Sequence, residues 1–174
     1  MSNVKKLKIE NCFEIIFPKQ NDSRGYFQRI INFDKILKNK KRYLASQISV
    51  SFNKKKGTFR GFHFQRKPFQ ENKLVFCVAG SIIDIVIDIR KDSPSYMKRI
   101  SRVICSKKNN AIFIPKGCAH GFLTTEKNTK IIYIMDKPYS PKYSSGINVR
   151  SKLCGNIKNI KIISKKDKNL KKFN

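Results

Sequence analysis

Between Gly57 and Gln65 the chain reads GTFRGFHFQ, an alternating run that sets an arginine and a histidine among Phe59, Phe62 and Phe64. Alternation of period two over this length predicts a β-strand. Phe59, Gly61, His63 and Gln65 then share one face, and Arg60, Phe62 and Phe64 the other. His63 points the same way as a phenylalanine. Two readings follow: a core histidine whose ring nitrogens are satisfied by backbone carbonyls, or a histidine held at the wall of a site. The strand alone does not choose between them.

The segments around it are of the same kind. KLKIENCFEIIF at residues 6–17 predicts one or two strands, the polar stretch Pro18–Gly25 a loop, and Tyr26–Phe33 a further strand. Asp34–Lys41 is the best local helix candidate, with Asp34 as N-cap and Ile36 and Leu37 turned inward. Strands are predicted over Tyr43–Phe52, Gly57–Gln65, Lys73–Ala79, Ile82–Arg90, Ile100–Cys105, Ala111–Ile114, Ala119–Thr124 and Lys130–Met135. Ala79-Gly80-Ser81 makes the third and fourth of these a tight hairpin. Roughly ten short strands with little helix imply an all-β sandwich or barrel. Residues 151–174 are lysine-rich and without period, and on composition they read as a solvated tail in which Asp167 is one surface charge.

Composition bounds the partners. At 174 residues one domain suffices, with enough chain to bury a core. The net charge of +28 would by itself suggest a polyanion. The lysines, however, run from Lys5 to Lys172, and no basic and aromatic recognition motif accompanies them. The expectation is no nucleic acid, with a basic surface that attracts small phosphate-bearing substrates. No apolar run approaches the ~18 residues of a membrane span, and MSNVKKLKIENCF lacks the apolar core of a signal peptide, so the expectation is no membrane and a cytoplasmic location. Five scattered cysteines without a C-x-x-C pair point to buried, reduced thiols, with neither disulfides nor a zinc site.

Taken together, DSRGYF at 22–27, GTFRGFHFQ at 57–65, ENKLVFCVAGSIIDIVIDIRKDSPSY at 71–96, IPKGCAHGFLT at 114–124, IIYIMDKPYSP at 131–141 and IISKKDKNL at 162–170 resemble the dTDP-4-dehydrorhamnose 3,5-epimerase family, a group of metal-free cupins. The resemblance implies a cupin-type β jelly roll, a double-stranded β-helix with short peripheral helices, formed by residues 1–174 as one domain. It implies that the basic segment 151–174 folds back over the barrel mouth, and that the protein is a homodimer exchanging strands. The implied reaction inverts C3, C5 or both in a nucleotide-linked 4-keto-6-deoxy sugar, without cofactor or metal. His63 matches the family's base, Asp167 the carboxylate that orients it, Lys73 the cation beside the enolate oxygen and Tyr133 a proton donor. His120 matches a second pocket histidine that Asp84 supports. Arg24 and Arg60 match diphosphate contacts, Tyr139 the residue that stacks on the base, and Gln47 a substrate contact.

Two histidines on such a barrel also admit a metal-dependent cupin oxygenase or isomerase, but His63 is followed by Phe64 and Gln65 where a metal cupin has a second histidine and a glutamate. A non-catalytic sugar- or polyanion-binding cupin is the third reading. The chain departs from the family at Arg29, at Gln47-Ile48-Ser49, in the Lys142–Ser145 stretch and in GINVRSK, so the substrate is expected to differ from the usual dTDP-linked hexose in its base or its sugar.

Overall fold

SIIDIVID at Ser81–Asp88 has apolar residues on both faces, so the strand it forms needs cover on both. In the computed structural model, which describes residues 3–30 and 45–173, it has that cover. The strands are β1 (Asn3–Lys6), β2 (Phe13–Ile16), β3 (Lys19–Asp22), β4 (Gly25–Gln28), β5 (Gln47–Asn53), β6 (Thr58–Gln65), β7 (Lys73–Ala79), β8 (Ser81–Asp88), β9 (Arg99–Cys105), β10 (Asn110–Ile114), β11 (Cys118–Thr124), β12 (Thr129–Met135), β13 (Ser144–Gly146) and β14 (Ile162–Ile163). A 3-10 turn at Lys152–Cys154 and a four-residue helix α1 (Lys165–Lys168) complete the described elements.

One sheet runs β1-β2-β10-β7-β12-β5 and the other β13-β6-β11-β8-β9, with β14 added to β6. Every pairing is antiparallel except that of β14 with β6. The two sheets pack face to face as a cupin-type jelly roll. Val75, Ile112 and Ile131 from the first meet Ile82, Val86, Ile104 and Phe122 from the second. Ile85, Ile87, Ala119 and Leu123 point to the outer face of the second sheet, where Ile147, Cys154, Ile157, Ile160, Ile163 and Phe173 cover them. The C-terminal segment is therefore a packed layer and not the solvated tail its composition suggests. Its apolar residues have no period because most of the segment is irregular chain that touches the sheet only at intervals.

Two local expectations change. The polar stretch 18–25 supplies β3, which pairs with β4 in a two-stranded sheet of its own. The helix expected at Asp34–Lys41 lies outside the described residues, as do the end of the Tyr26–Phe33 strand and the start of the Tyr43–Phe52 one. All five cysteines are free and buried, and burial pushes the Cys77 and Cys118 thiols up to about 12, so they act as core residues. Among the described residues no helix is long and apolar enough to cross a membrane.

The face assignment in β6 is also corrected, and the correction makes the site. Against β11, His63 sits opposite His120 and Arg60 opposite Phe122, so three steps along β6 match two along β11. The extra residue is a β-bulge at Gly61, and such a bulge reverses the alternation. Phe59, Phe62 and Phe64 all turn to the outer layer, with the Phe59 and Phe62 rings 5.5 Å apart, whereas Arg60, His63 and Gln65 turn together into one cavity. Gly61 is needed here: its φ is +141°, and a Cβ would lie 2.5 Å from the Gly121 Cα. A lone glycine inside a strand pattern is the signal of such a bulge.

Candidate active site

The bulge aims β6 inward and also leaves a backbone donor free of the ladder. That donor, the Gly61 N–H, bonds Asp167 Oδ2 at 3.2 Å, while Asp167 Oδ1 and His63 Nε2 share a hydrogen bond of 2.7 Å. Asp167 is presented by α1, whose N-cap Ser164 accepts the Asp167 N–H at 3.0 Å. Burial acts to raise the Asp167 carboxyl, but the His63 and Gly61 bonds outweigh it and hold the group below its ordinary value. An ionised Asp167 accepts a hydrogen bond from the His63 Nε2–H and leaves Nδ1 as the acceptor of the ring. The His63 side chain is 43% exposed and the Asp167 side chain 5%, so the carboxylate is dry while the imidazole is open to a ligand.

His63 lines a cavity of about 320 Å³ together with Arg60, Lys73, His120, Tyr133 and Tyr139. His120 on β11 shares a 2.7 Å hydrogen bond through Nε2 with Asp84 Oδ2 on the adjoining β8. That pair is buried, and Asp84 Oδ1 has no hydrogen-bond partner among the described residues. Tyr133 on β12 packs edge-on to His120, with ring centroids 6.1 Å apart. Burial pushes its hydroxyl above the ordinary tyrosine value, which keeps a proton on the oxygen at any neutral pH.

Lys73, at the first position of β7, places Nζ 2.9 Å from Glu71 Oε1 and 3.4 Å from the His63 carbonyl oxygen. Arg60 donates from Nε to Asn53 Oδ1 at 2.9 Å. The Gln47 amide bonds Ser49 Oγ and accepts the Tyr139 N–H, each at 2.9 Å. The structure thus brings together His63, Tyr133, Asp167, Lys73, Gln47, Arg60, His120 and Tyr139, with Asp84 behind His120. It does not bring Arg24. That side chain sits on the β3–β4 turn, 88% exposed and paired with Asp22 at 2.8 Å, because the hairpin forms a separate sheet away from the cavity.

Glu71, Lys166 and, although it ends the GTFRGFHFQ run, Gln65 also line the cavity and were not singled out from sequence. Lys166 also lines an adjoining cavity with Arg60, His63 and Asp167, so two cations flank the base. Among the described residues no three His, Cys, Asp or Glu side chains group so as to hold a metal ion, and the two histidines are engaged by different carboxylates. The arrangement offers a base with an ionised partner, a neutral acid and fixed cations, all lining one cavity. That is the equipment for moving a proton on and off carbon beside a carbonyl.

Comparison with known proteins agrees in sequence and in shape. The profile of the family described as dTDP-4-dehydrorhamnose 3,5-epimerase matches residues 6–174. An enzyme of that description from Sinorhizobium fredii is 35% identical over 135 residues, covering 77% of this chain and 69% of the relative. One from Shigella flexneri is 33% identical over 149 residues, covering 83% and 80%. The crystal structure of the Bacillus anthracis dTDP-4-dehydrorhamnose 3,5-epimerase with TDP and pyrophosphate bound superposes with a TM-score of 0.93 at 28% identity, over 99% of this chain and 100% of that one.

Proposed function

The chain belongs to the dTDP-4-dehydrorhamnose 3,5-epimerase family, and from that premise we propose that its cavity inverts C3, C5 or both in a nucleotide-linked 4-keto-6-deoxy sugar. The observation that carries this is the meeting of the His63–Asp167 pair, Lys73 and Tyr133 around one opening. His63 Nδ1 takes the proton from the carbon beside the C4 ketone, and the electrons of the broken C–H bond move onto the ketone oxygen. Asp167 holds the ring and steadies the imidazolium that forms. Lys73 Nζ meets the negative oxygen, where a preorganised donor contributes on the order of 10²–10³ in rate. Tyr133 returns a proton to carbon from the opposite side, and solvent resets both groups.

Arg60 and Lys166 at the mouth suit the diphosphate, and exposed Tyr139 suits a base stacked on its ring. The relative with bound TDP supports a nucleoside diphosphate as the handle of the substrate. The working unit is proposed to be a homodimer. β5 ends its sheet with Ile48, Val50 and Phe52 at 65%, 65% and 51% exposure, and the β3–β4 hairpin exposes Tyr26 and Phe27 beside Arg24. A second copy would cover these and could carry Arg24 to the neighbouring cavity. Five free thiols suit the reducing cytoplasm.

Incubation in heavy water with a panel of nucleotide-linked 4-keto-6-deoxy sugars tests the reading. Deuterium at C3 or C5 of one substrate is the expected result, and absence of uptake from every member of the panel overturns it.

A further inference from the structure

The cation at the heart of the site is tied to the loop at its mouth. Glu71 and Lys73 are both buried, and their 2.9 Å ion pair uses Glu71 Oε1. The other oxygen, Glu71 Oε2, accepts from Gln65 Nε2 at 3.0 Å. The same Gln65 nitrogen donates to the Pro138 carbonyl at 3.1 Å and the Phe69 carbonyl at 3.0 Å, and Gln65 Oε1 accepts the Ser140 N–H at 2.6 Å. Pro138 and Ser140 flank Tyr139. One buried amide therefore grips both sides of the aromatic residue at the mouth and, through Glu71, the ammonium inside.

The neighbouring glutamine is wired differently. Among the described residues the Gln47 side chain hydrogen-bonds the Tyr139 N–H and Ser49 Oγ, and neither Glu71 nor Lys73. A loop peg alone would need no more than Gln47 has. Gln65 contacts a carboxylate whose second oxygen is committed to the lysine, and this extra link joins the two halves of the substrate path.

We propose that Gln65 is a positioning residue that couples the Tyr139 loop to Lys73 through Glu71, so that seating the nucleotide and placing the ammonium against the sugar oxygen occur together. The proposal rests on the assignment of Tyr139 and Lys73 to nucleotide and sugar made above. A substituent change at Gln65 must then reach chemistry and binding at once, whereas a change at Gln47 reaches binding and a change at Glu71 reaches chemistry.

The test compares Gln65→Met, Gln47→Leu and Glu71→Gln, each near its parent residue in volume. Gln65→Met is expected to lower kcat and raise KM by about tenfold each, Glu71→Gln to lower kcat chiefly, and Gln47→Leu to raise KM chiefly. Should Gln65→Met fail to fold by circular dichroism, Gln65→Glu serves. It keeps an acceptor for the Ser140 N–H but repels Glu71 and no longer donates to the Pro138 carbonyl, so kcat is expected to fall and KM to rise together. A Gln65→Met, or a Gln65→Glu, that moves KM alone or kcat alone overturns the coupling.

A second arm needs no substrate. Acylation of Lys73 by an amine-reactive ester, read by peptide mass spectrometry, is expected to rise several-fold in Gln65→Met and Glu71→Gln and to stay near the parent level in Gln47→Leu. Parental labelling in Gln65→Met overturns the coupling whatever the reaction is. An inert parent that shows the labelling pattern overturns the epimerase reading and leaves the coupling standing.

Discussion

Two histidine–carboxylate pairs share this cavity, each with an Nε2 to Oδ distance of 2.7 Å, and their settings differ in every other respect. His120 and Asp84 lie on neighbouring strands of one sheet, both buried, in a ladder that fixes them before any ligand arrives. His63 and Asp167 join β6 to a short helix 104 residues later in the chain, and the imidazole is nearly half exposed. A pair within a ladder is a piece of the core that faces a cavity. A pair assembled by a late segment, dry at the carboxylate and open at the ring, is suited to take up and release a proton. Distance alone would have ranked the two alike.

If the difference is as drawn, damage to the open pair should strike chemistry and damage to the closed pair should strike folding. The largest effect is expected for His63→Ala: loss of solvent exchange at the sugar carbons by at least ~10³-fold, the scale of a general base at the upper end of its usual range. Its unfolding free energy should fall by about 1–2 kcal/mol, the loss of one charged hydrogen bond to Asp167, whose Gly61 bond remains and to which the space left by the partly solvated ring admits water. Deuterium uptake and urea denaturation on the same preparation give both numbers. Uptake within tenfold of the parent would move His63 to the class of His120.

Next in size is Asp84→Ala, which strands the buried His120 Nε2–H and opens space beside Tyr133. The cost is about 2–4 kcal/mol by the magnitudes for an unsatisfied buried donor with a small cavity. A drop in the urea midpoint of that order, in a protein that still exchanges sugar protons once folded, is the expected outcome. Unchanged stability with abolished exchange would make the closed pair the reactive one.

Much of this contrast was visible in the sequence, and the rest was hidden for identifiable reasons. β7 was read from Lys73 to Ala79 because its apolar run ends in a tight Ala-Gly-Ser turn, and the structure has it there. Arg60 was placed at the site by resemblance alone, and its sharing a face with His63 was missed because a bulge is a property of two strands in register, and period two in one strand cannot show it. Asp167 was assigned through family resemblance alone. Composition made it one surface charge, since the residues that dock its segment, Ile157, Ile160, Ile163 and Phe173, follow no single period. Glu71 and Lys166 looked like two more charges in a chain with 39 basic and 11 acidic residues, and Arg24 lies where one chain by itself does not place it in the cavity.

Asp167→Asn is the third way to test the comparison. The amide keeps an acceptor for His63 Nε2–H but meets the Gly61 N–H with a second donor, so the ring is held less well and its cation loses a counter-charge. A fall in kcat of about 10- to 100-fold is expected for a residue that acts through the base. Stability should fall by about 1 kcal/mol, one exchanged hydrogen bond. A larger loss in stability than in kcat would make the open pair a fastener of the C-terminal layer and remove the distinction.

The smallest effect is one of acid. The Asp167 carboxyl is lowered from its ordinary value of 3.8, so the folded protein favours its ionised form. Its contribution to docking α1 is then complete above that value and is lost as the pH falls through the lower, folded one. Asp88 follows the same sign: burial opposes its charge, but Arg90, Ser93 and Ser95 hold it at about 2, so the rear of the barrel also loosens only in strong acid. Acidification below pH 3.8 should therefore raise cleavage by pepsin within residues 164–173, measured relative to an unstructured control peptide in the same digest, while circular dichroism of the sheets changes little. In Asp167→Asn the same segment should be cut at a rate that, relative to the control peptide, is nearly independent of pH, because the group that titrates is gone. Equal acid sensitivity in parent and variant would show that α1 is held by the apolar layer alone, with the carboxylate serving only the ring of His63.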